Sequence, residues 1–329
     1  MRKVLALLGF AMAFAPVIGS AQTVAQAVSI EKLNLSAGTG VLRKVIARGD
    51  RVYVLDAQNH HVLVVKNGST VTIGGIGNGP ADLYQPFDLA VDSQSRIYVQ
   101  DHGNKRISIF DDKGTSLGGF PDTPKSLGLA VTRTGEVLLG QPQLGSLISA
   151  YDKSGHRIRS FGALVRPSEI YGPSYKRFDA NVAMFNRVRI ATDDDGNIWA
   201  AFAYMPLVCK FSPAGQLLMR KKLEYPELAQ VIASVGVQPP SDAFASMNMD
   251  GVQLTMVTRD IEYEPHSRRV LVLLGNERTL VLDNAGRDVS GFRPAKFVGN
   301  LQNVWMRESG EVLFTVYASP AVYHAAVIR

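Results

Sequence analysis

The sequence predicts an all-β fold: a six-bladed β-propeller, in which six four-stranded antiparallel sheets stand radially around one axis. Two recurring markers and one packing argument predict it. The first marker is an alternating strand that runs into a glycine turn: VLVVKNG ending at Gly68, ISIFDDKG at Gly114, ISAYDKSG at Gly155, VCKFSPAG at Gly215 and LVLDNAG at Gly286. The steps between these glycines are 46, 41, 60 and 71 residues, which reads as one period of about 40 with two insertions. The second marker is a tight turn followed by an apolar strand. It occurs six times, as RGDRVYVLD, SQSRIYVQD, RTGEVLLG, DDGNIWAAF, HSRRVLVLL and ESGEVLFTV. One such sheet buries too little on its own. Stacking the sheets face to face around a ring buries both faces of each and leaves only short edges.

At the amino terminus, Arg2 and Lys3 precede the apolar run Val4–Ile18 and the small residues Gly19, Ser20 and Ala21. This is the pattern of a cleaved signal peptide spanning residues 1–21, and it predicts a periplasmic or secreted protein. Residues 22–329 are then a single propeller domain, and no later apolar run is long enough for a transmembrane helix. Without Arg2 and Lys3 the charge falls from +6 to +4, with 33 basic residues against 29 acidic. That mild excess lacks the clustered basic patch of a nucleic-acid binder, so no nucleic-acid partner is expected. Cys209 is the single cysteine, which excludes an intramolecular disulfide.

Val28–Leu35 alternates well and precedes the first full blade. The blades follow at about 40–77, 85–121, 124–162, 185–223, 257–292 and 299–329. The sixth shows no fourth strand after Val322–Ile328, so Val28–Leu35 is expected to supply it and close the ring. Two inserts break the period, at 164–184 and 224–256. In the second, Leu228, Val231, Ile232 and Val235 have helical spacing and predict a short helix ending at Gly236. The turn glycines are read as positive-φ positions. Asn59, Asn104 and Asn276 are read as turn caps, Trp199 and Trp305 as core between blades, and Cys209 as a buried small side chain.

The second blade carries a resemblance. Residues 79–114, GPADLYQPFDLAVDSQSRIYVQDHGNKRISIFDDKG, are similar to an NHL repeat, with its glycine-rich lead-in, its Pro-Phe-Asp-Leu-Ala-Val-Asp strand and its Asp-x-x-Asn turn. The first blade repeats the turn as Asp56-Ala-Gln-Asn59. The resemblance implies a propeller. It leaves activity open, because that family includes scaffolds, ligand binders, RNA binders and a few metal-dependent lyases. Histidine ligands to zinc are what the lyase members imply. The histidines here are His60, His61, His102, His156, His266 and His324, and no three fall at matching inner-strand positions. No metal and no cofactor is therefore expected. Asp193, Asp194 and Asp195 lack the loop spacing of a calcium hand and read as a hairpin turn.

Aligning the innermost strands puts Arg43, Asp88, Gly128, Arg189, Asp260 and Asn303 at one level around the axis. Two readings of this ring stand side by side. One is an Arg–Asp network that bridges neighbouring blades; the other is the polar floor of a ligand site. The inserts favour the second, since both emerge on the face where the inner strands start. Tyr171, Tyr175 and Arg177 of the first insert would then form a wall. The expected function is a binding module, without catalytic residues, for a small polar or acidic ligand, a peptide or a protein partner. The alternative is a metal-dependent lyase or lactonase-like hydrolase with its site at the channel mouth.

Overall fold

The computed structural model describes residues 24–32, 35, 38–123, 126–230, 246–249, 252–275, 278–293, 301–307, 311–316 and 321–327. The expected signal peptide, Asn276, and the part of the expected second-insert helix beyond Gln230 lie outside these residues. Within them the chain is a six-bladed β-propeller. The inner strands are Leu42–Arg48, Pro86–Val91, Leu129–Val131, Val188–Thr192, Thr258–Glu264 and Leu301–Met306. In blades 1 to 5 each pairs antiparallel with the next strand of its repeat, and so on outward to the fourth. Each inner strand touches the inner strands on either side, and the sixth touches the first.

An apolar layer fills every gap between neighbouring sheets. Tyr98, Ile107 and Ile109 of blade 2 meet Leu129, Val137 and Leu139 of blade 3. Trp199 and Val208 of blade 4 meet Ile261 and Val272 of blade 5. Trp305, Leu313 and Val322 of blade 6 join the layer between blades 1 and 2. Middle strands are accordingly buried along their whole length, as in Ile97–Asp101 and Ile198–Phe202. The outer strand Leu217–Lys222 is exposed at alternate positions. Both tryptophans lie between blades, as expected. Cys209 is buried too, and its burial pushes the thiol up to about 11.

The ring closes through the amino-terminal strand, Val24–Lys32, a few residues earlier than the sequence suggested. Its second half pairs antiparallel with Val322–Val327, with Ile30 opposite Ala325 and Lys32 opposite Tyr323. Its first half does something the pattern did not show. It runs parallel to the outer strand of blade 5, Asp288–Arg293, with Val24 opposite Gly291. One strand thus joins blades 5 and 6 into an eight-stranded sheet.

The turns explain the repeat markers. Asp92, Asp111, Asp152, Asp193 and Asp283 each accept backbone N–H bonds from residues two and four positions on, which fixes a tight hairpin. Asp193 is such a cap, which accounts for the aspartate run at 193–195. The Asp-x-x-Asn turn has a further role. Asp101 accepts from Tyr84 N at 2.7 Å and from Asn104 Nδ2 at 2.8 Å, while Asn104 donates to Gly77 O at 3.0 Å. The motif therefore ties each turn to the lead-in before its own blade, and Asp56 with Asn59 does the same.

The first insert packs as two short α-helices, Pro167–Tyr171 and Val182–Phe185, around a 3-10 segment, Pro173–Asn181. Of the second, Ser246–Met249 and Val252–Thr255 pair as a hairpin. No helix among the described residues is long and apolar enough to cross a membrane.

Candidate functional site

The alignment of inner strands is correct in five blades and one residue out in the first. Lys44, not Arg43, stands level with Asp260 and Asn303. Their cross-strand partners match: Lys44 faces Leu55, Asp260 faces Leu273 and Asn303 faces Thr315. A β-bulge lies between Leu42 and Lys44, as others do just before Asp260 and Asn303, and the slip comes from the first hairpin, where four residues separate the partners Ala47 and Val52 against five between Val91 and Ile97. Arg43 occupies the bulge.

The corrected level is a buried ionic network. Lys44 Nζ donates to Asp260 at 3.0 Å and is also paired with Glu262. Asn303 donates to Asp260 and accepts from Val45 N at 2.8 Å. Asp88 accepts from Leu89 N at 2.9 Å and from Leu129 N at 3.3 Å, linking blades 2 and 3. Arg189 donates to Leu127 O at 2.8 Å and lies 3.6 Å from Asp88. Gly128 contributes no side chain to this level because blade 4 is too close. A Cβ there would collide with Val188 O.

Three carboxylates, Asp88, Asp260 and Glu262, share two cations, Lys44 and Arg189. Burial would pull the Lys44 ammonium down, but Asp260, Glu262 and Asp88 outweigh it and hold it above the ordinary lysine value. Burial pushes Glu262 up, against the pull of Lys44 and with added repulsion from Asp260. Burial pushes Asp88 up as well, against Lys44 and Arg189. Asp260 and Asn303 thus bond to each other across blades 5 and 6, and Asp88 spends its oxygens on backbone N–H groups of blades 2 and 3.

Above this network, on the face of the inserts, three blades converge. Phe87 of blade 2 is half-buried. Arg43 of blade 1 stands over its ring at 4.9 Å from the centroid, and Arg189 of blade 4 at 5.2 Å. His102 stacks on the same ring at 4.4 Å. The first insert leans in beside them. Tyr171 is turned inward, donating to Tyr204 O at 2.7 Å, and burial pushes its phenol well up. Tyr175 is half-buried against Tyr171 at 4.8 Å. Arg177 is exposed and covers Phe178 at 4.7 Å. Of the expected wall, Tyr175 and Arg177 face outward in part or whole, and Tyr171 is a packing residue.

His60, His102 and His266 lie in turns, while His61 and His324 lie in strands. His60 Nδ1 accepts from Gln85 N at 2.8 Å, and His102 Nε2 lies 3.0 Å from Ser126 O. Among the described residues no three His, Cys, Asp or Glu side chains are grouped as metal ligands. Lys44, Glu262 and Phe87 were missed as site residues. Asp260 and Glu262 did carry a signal, as charged residues two apart in an otherwise apolar strand.

The fold defines the class: the chain is a six-bladed β-propeller, and one segment of it is similar to an NHL repeat protein. A segment of 48 residues is 46% identical to NHL repeat-containing protein 3 from Homo sapiens, a match that spans 14% of each chain. No family model matches the chain. Among solved structures it is similar to virginiamycin B lyase from Staphylococcus aureus, at 10% identity over 90% of this chain and 84% of that one, with a TM-score of 0.56. It is also similar to a gluconolactonase from Xanthomonas campestris, at 14% identity over 84% and 82% of the two chains and a TM-score of 0.52. The WD40 repeats of RRP9 align at 9% identity over 93% and 100%, with a TM-score of 0.57. At these identities the likeness is one of fold.

Proposed function

We propose that the protein is an exported binding module that takes a small acidic ligand, or an acidic segment of a peptide or protein partner, at the channel mouth on the insert face. The observation that carries this reading is the convergence of Arg43 and Arg189 on Phe87 from three different blades. Guanidinium groups held over an aromatic ring are pre-oriented, so little side-chain freedom is lost when a carboxylate arrives. Arg177 extends the basic surface onto the insert. Long loops on one face of a rigid scaffold are a common place for recognition.

Tetraglutamate is a suitable probe. A charge-assisted hydrogen bond contributes about 1.5–3 kcal/mol. Arg189→Ala is therefore expected to weaken tetraglutamate binding about tenfold or more in a calorimetric titration. Arg177→Ala is expected to weaken it less, because that side chain is exposed. Lys113→Ala, in an exposed turn on the opposite face, is expected to change nothing. Normal binding by folded Arg189→Ala and Arg177→Ala proteins rejects the proposal. Unfolding of Arg189→Ala would show its role to be holding blades 2 to 4 together.

A further inference from the structure

Alternate residues of the inner strands form three levels along the axis, and the lower two describe a second site. Below the ionic network the middle level reads Ile46, Ala90, Ala130, Ala191, Glu262 and Trp305. Three alanines on one side of the axis leave space, and a cavity of about 490 Å³ opens there. That is the size of a small-molecule pocket. Lys44 and Glu262 line its floor, and Trp305 with Ile46 forms an apolar wall. It opens on the face opposite the inserts, among the turns that join first and second strands.

The third level forms the rim: Arg48, Asp92, Thr132, Asp193, Glu264 and Arg307. Its carboxylates are used internally. Asp92 holds Arg96 at 2.6 Å, Asp193 caps its turn and accepts from Trp199 Nε1 at 3.1 Å, and Glu264 caps the turn at His266. Asp194, also at the rim, is bound by Arg133 at 3.2 Å and Tyr263 at 3.1 Å. The cations are less fully engaged. The Arg48 side chain makes no hydrogen bond to any described residue. Arg307 pairs with Glu311 at 3.2 Å but keeps a buried Nε without a partner among the described residues. Blades 6 and 1 are neighbours, so both arginines stand beside the Trp305–Ile46 wall. The Arg48 side chain is exposed at this mouth, with Glu262 and Asp92 close enough to act on its charge.

We propose that this axial cavity binds a small organic monoanion with a flat or branched apolar body, its body against Trp305 and Ile46 and its carboxylate at Arg48 and Arg307. The site is separate from the one at the insert face and does not depend on it.

Benzoate, 3-methylbutanoate and neutral benzamide test the proposal by calorimetric titration of residues 22–329. Saturable binding of at least one acid is expected, with benzamide at least tenfold weaker than benzoate. Arg48→Gln is solvent-accessible and should fold normally. It is expected to weaken binding of that acid about tenfold or more, as loss of one charge-assisted contact does. Arg307→Gln should act in the same direction, and Arg48→Lys should restore part of the loss. Arg189→Ala, at the other mouth, should leave this binding unchanged. Any of three results overturns the proposal: no saturable binding of either acid up to about 10 mM, unchanged binding in both Arg48→Gln and Arg307→Gln, or loss of binding in folded Arg189→Ala.

Discussion

Deleting residues 24–32 is expected to lower stability more than any single substitution away from the axis. The strand Val24–Lys32 is the fourth strand of blade 6 and also lies along the outer strand of blade 5. Its removal strips hydrogen-bonded partners from the outer edges of two blades at once. It also removes the only described strand pairing that joins the two ends of the chain. The change should reach or exceed about 4–5 kcal/mol, the upper end of what single changes produce. At roughly 2–4 °C per kcal/mol, the melting point should fall by about 10 °C or more. The freed edges are templates for strand addition, so concentration-dependent aggregation should accompany the loss. Thermal unfolding followed by circular dichroism and light scattering checks both effects. A deletion variant that melts with the parent and stays monomeric would show that the strand does not close the ring.

Lys44→Met should be the most damaging single substitution on the axis. It leaves Asp260 and Glu262 buried beside each other without the ammonium that pairs both. Removing one partner of a buried pair costs about 3–5 kcal/mol. A melting point lower by roughly 6–20 °C follows. The surplus carboxylate also gives the wild-type protein a pH signature. The folded state holds the Glu262 proton more tightly than the unfolded chain, whose glutamate titrates near 4.5. Its contribution is therefore fully present below that value and is lost as pH rises through the raised folded value. Asp88 acts in the same sense. Glu262→Gln keeps a group that can bond to Lys44 and removes the titration. Its stability should fall less steeply with pH than that of the wild type. Parallel profiles for wild type and Glu262→Gln in chemical denaturation would contradict the charge assignment.

Much of this architecture was legible because each blade repeats its own punctuation. The Asp-x-x-Gly hairpins mark the turns, and Asp111, Asp152 and Asp283 cap them through the same backbone bonds. The level of Asp88, Arg189, Asp260 and Asn303 followed from aligning those repeats. Arg43 was placed there instead of Lys44 because the first hairpin is one residue shorter: four residues separate the partners Ala47 and Val52, against five between Val91 and Ile97. The parallel pairing of Val24–Gln26 with blade 5 was hidden for a different reason. Alternation identifies a strand but says nothing about which outer edge it will meet. The inward turn of Tyr171 depends on a carbonyl acceptor, Tyr204, that lies 33 residues further along the chain and becomes its neighbour only after folding. The axial cavity was present in the sequence as Ala90, Ala130 and Ala191, but small residues announce a space only when the register places them at one level.

The central claim is that a carboxylate is recognised at Phe87 by arginines from different blades. A crystal structure of residues 22–329 grown with tetraglutamate tests it most directly. The predicted result is a carboxylate within hydrogen-bonding distance of Arg43 or Arg189, beside the Phe87 ring on the insert face. Tetraglutamate that binds in solution but is found away from that mouth, with Arg43 and Arg189 making the same contacts as in the free protein, would contradict it.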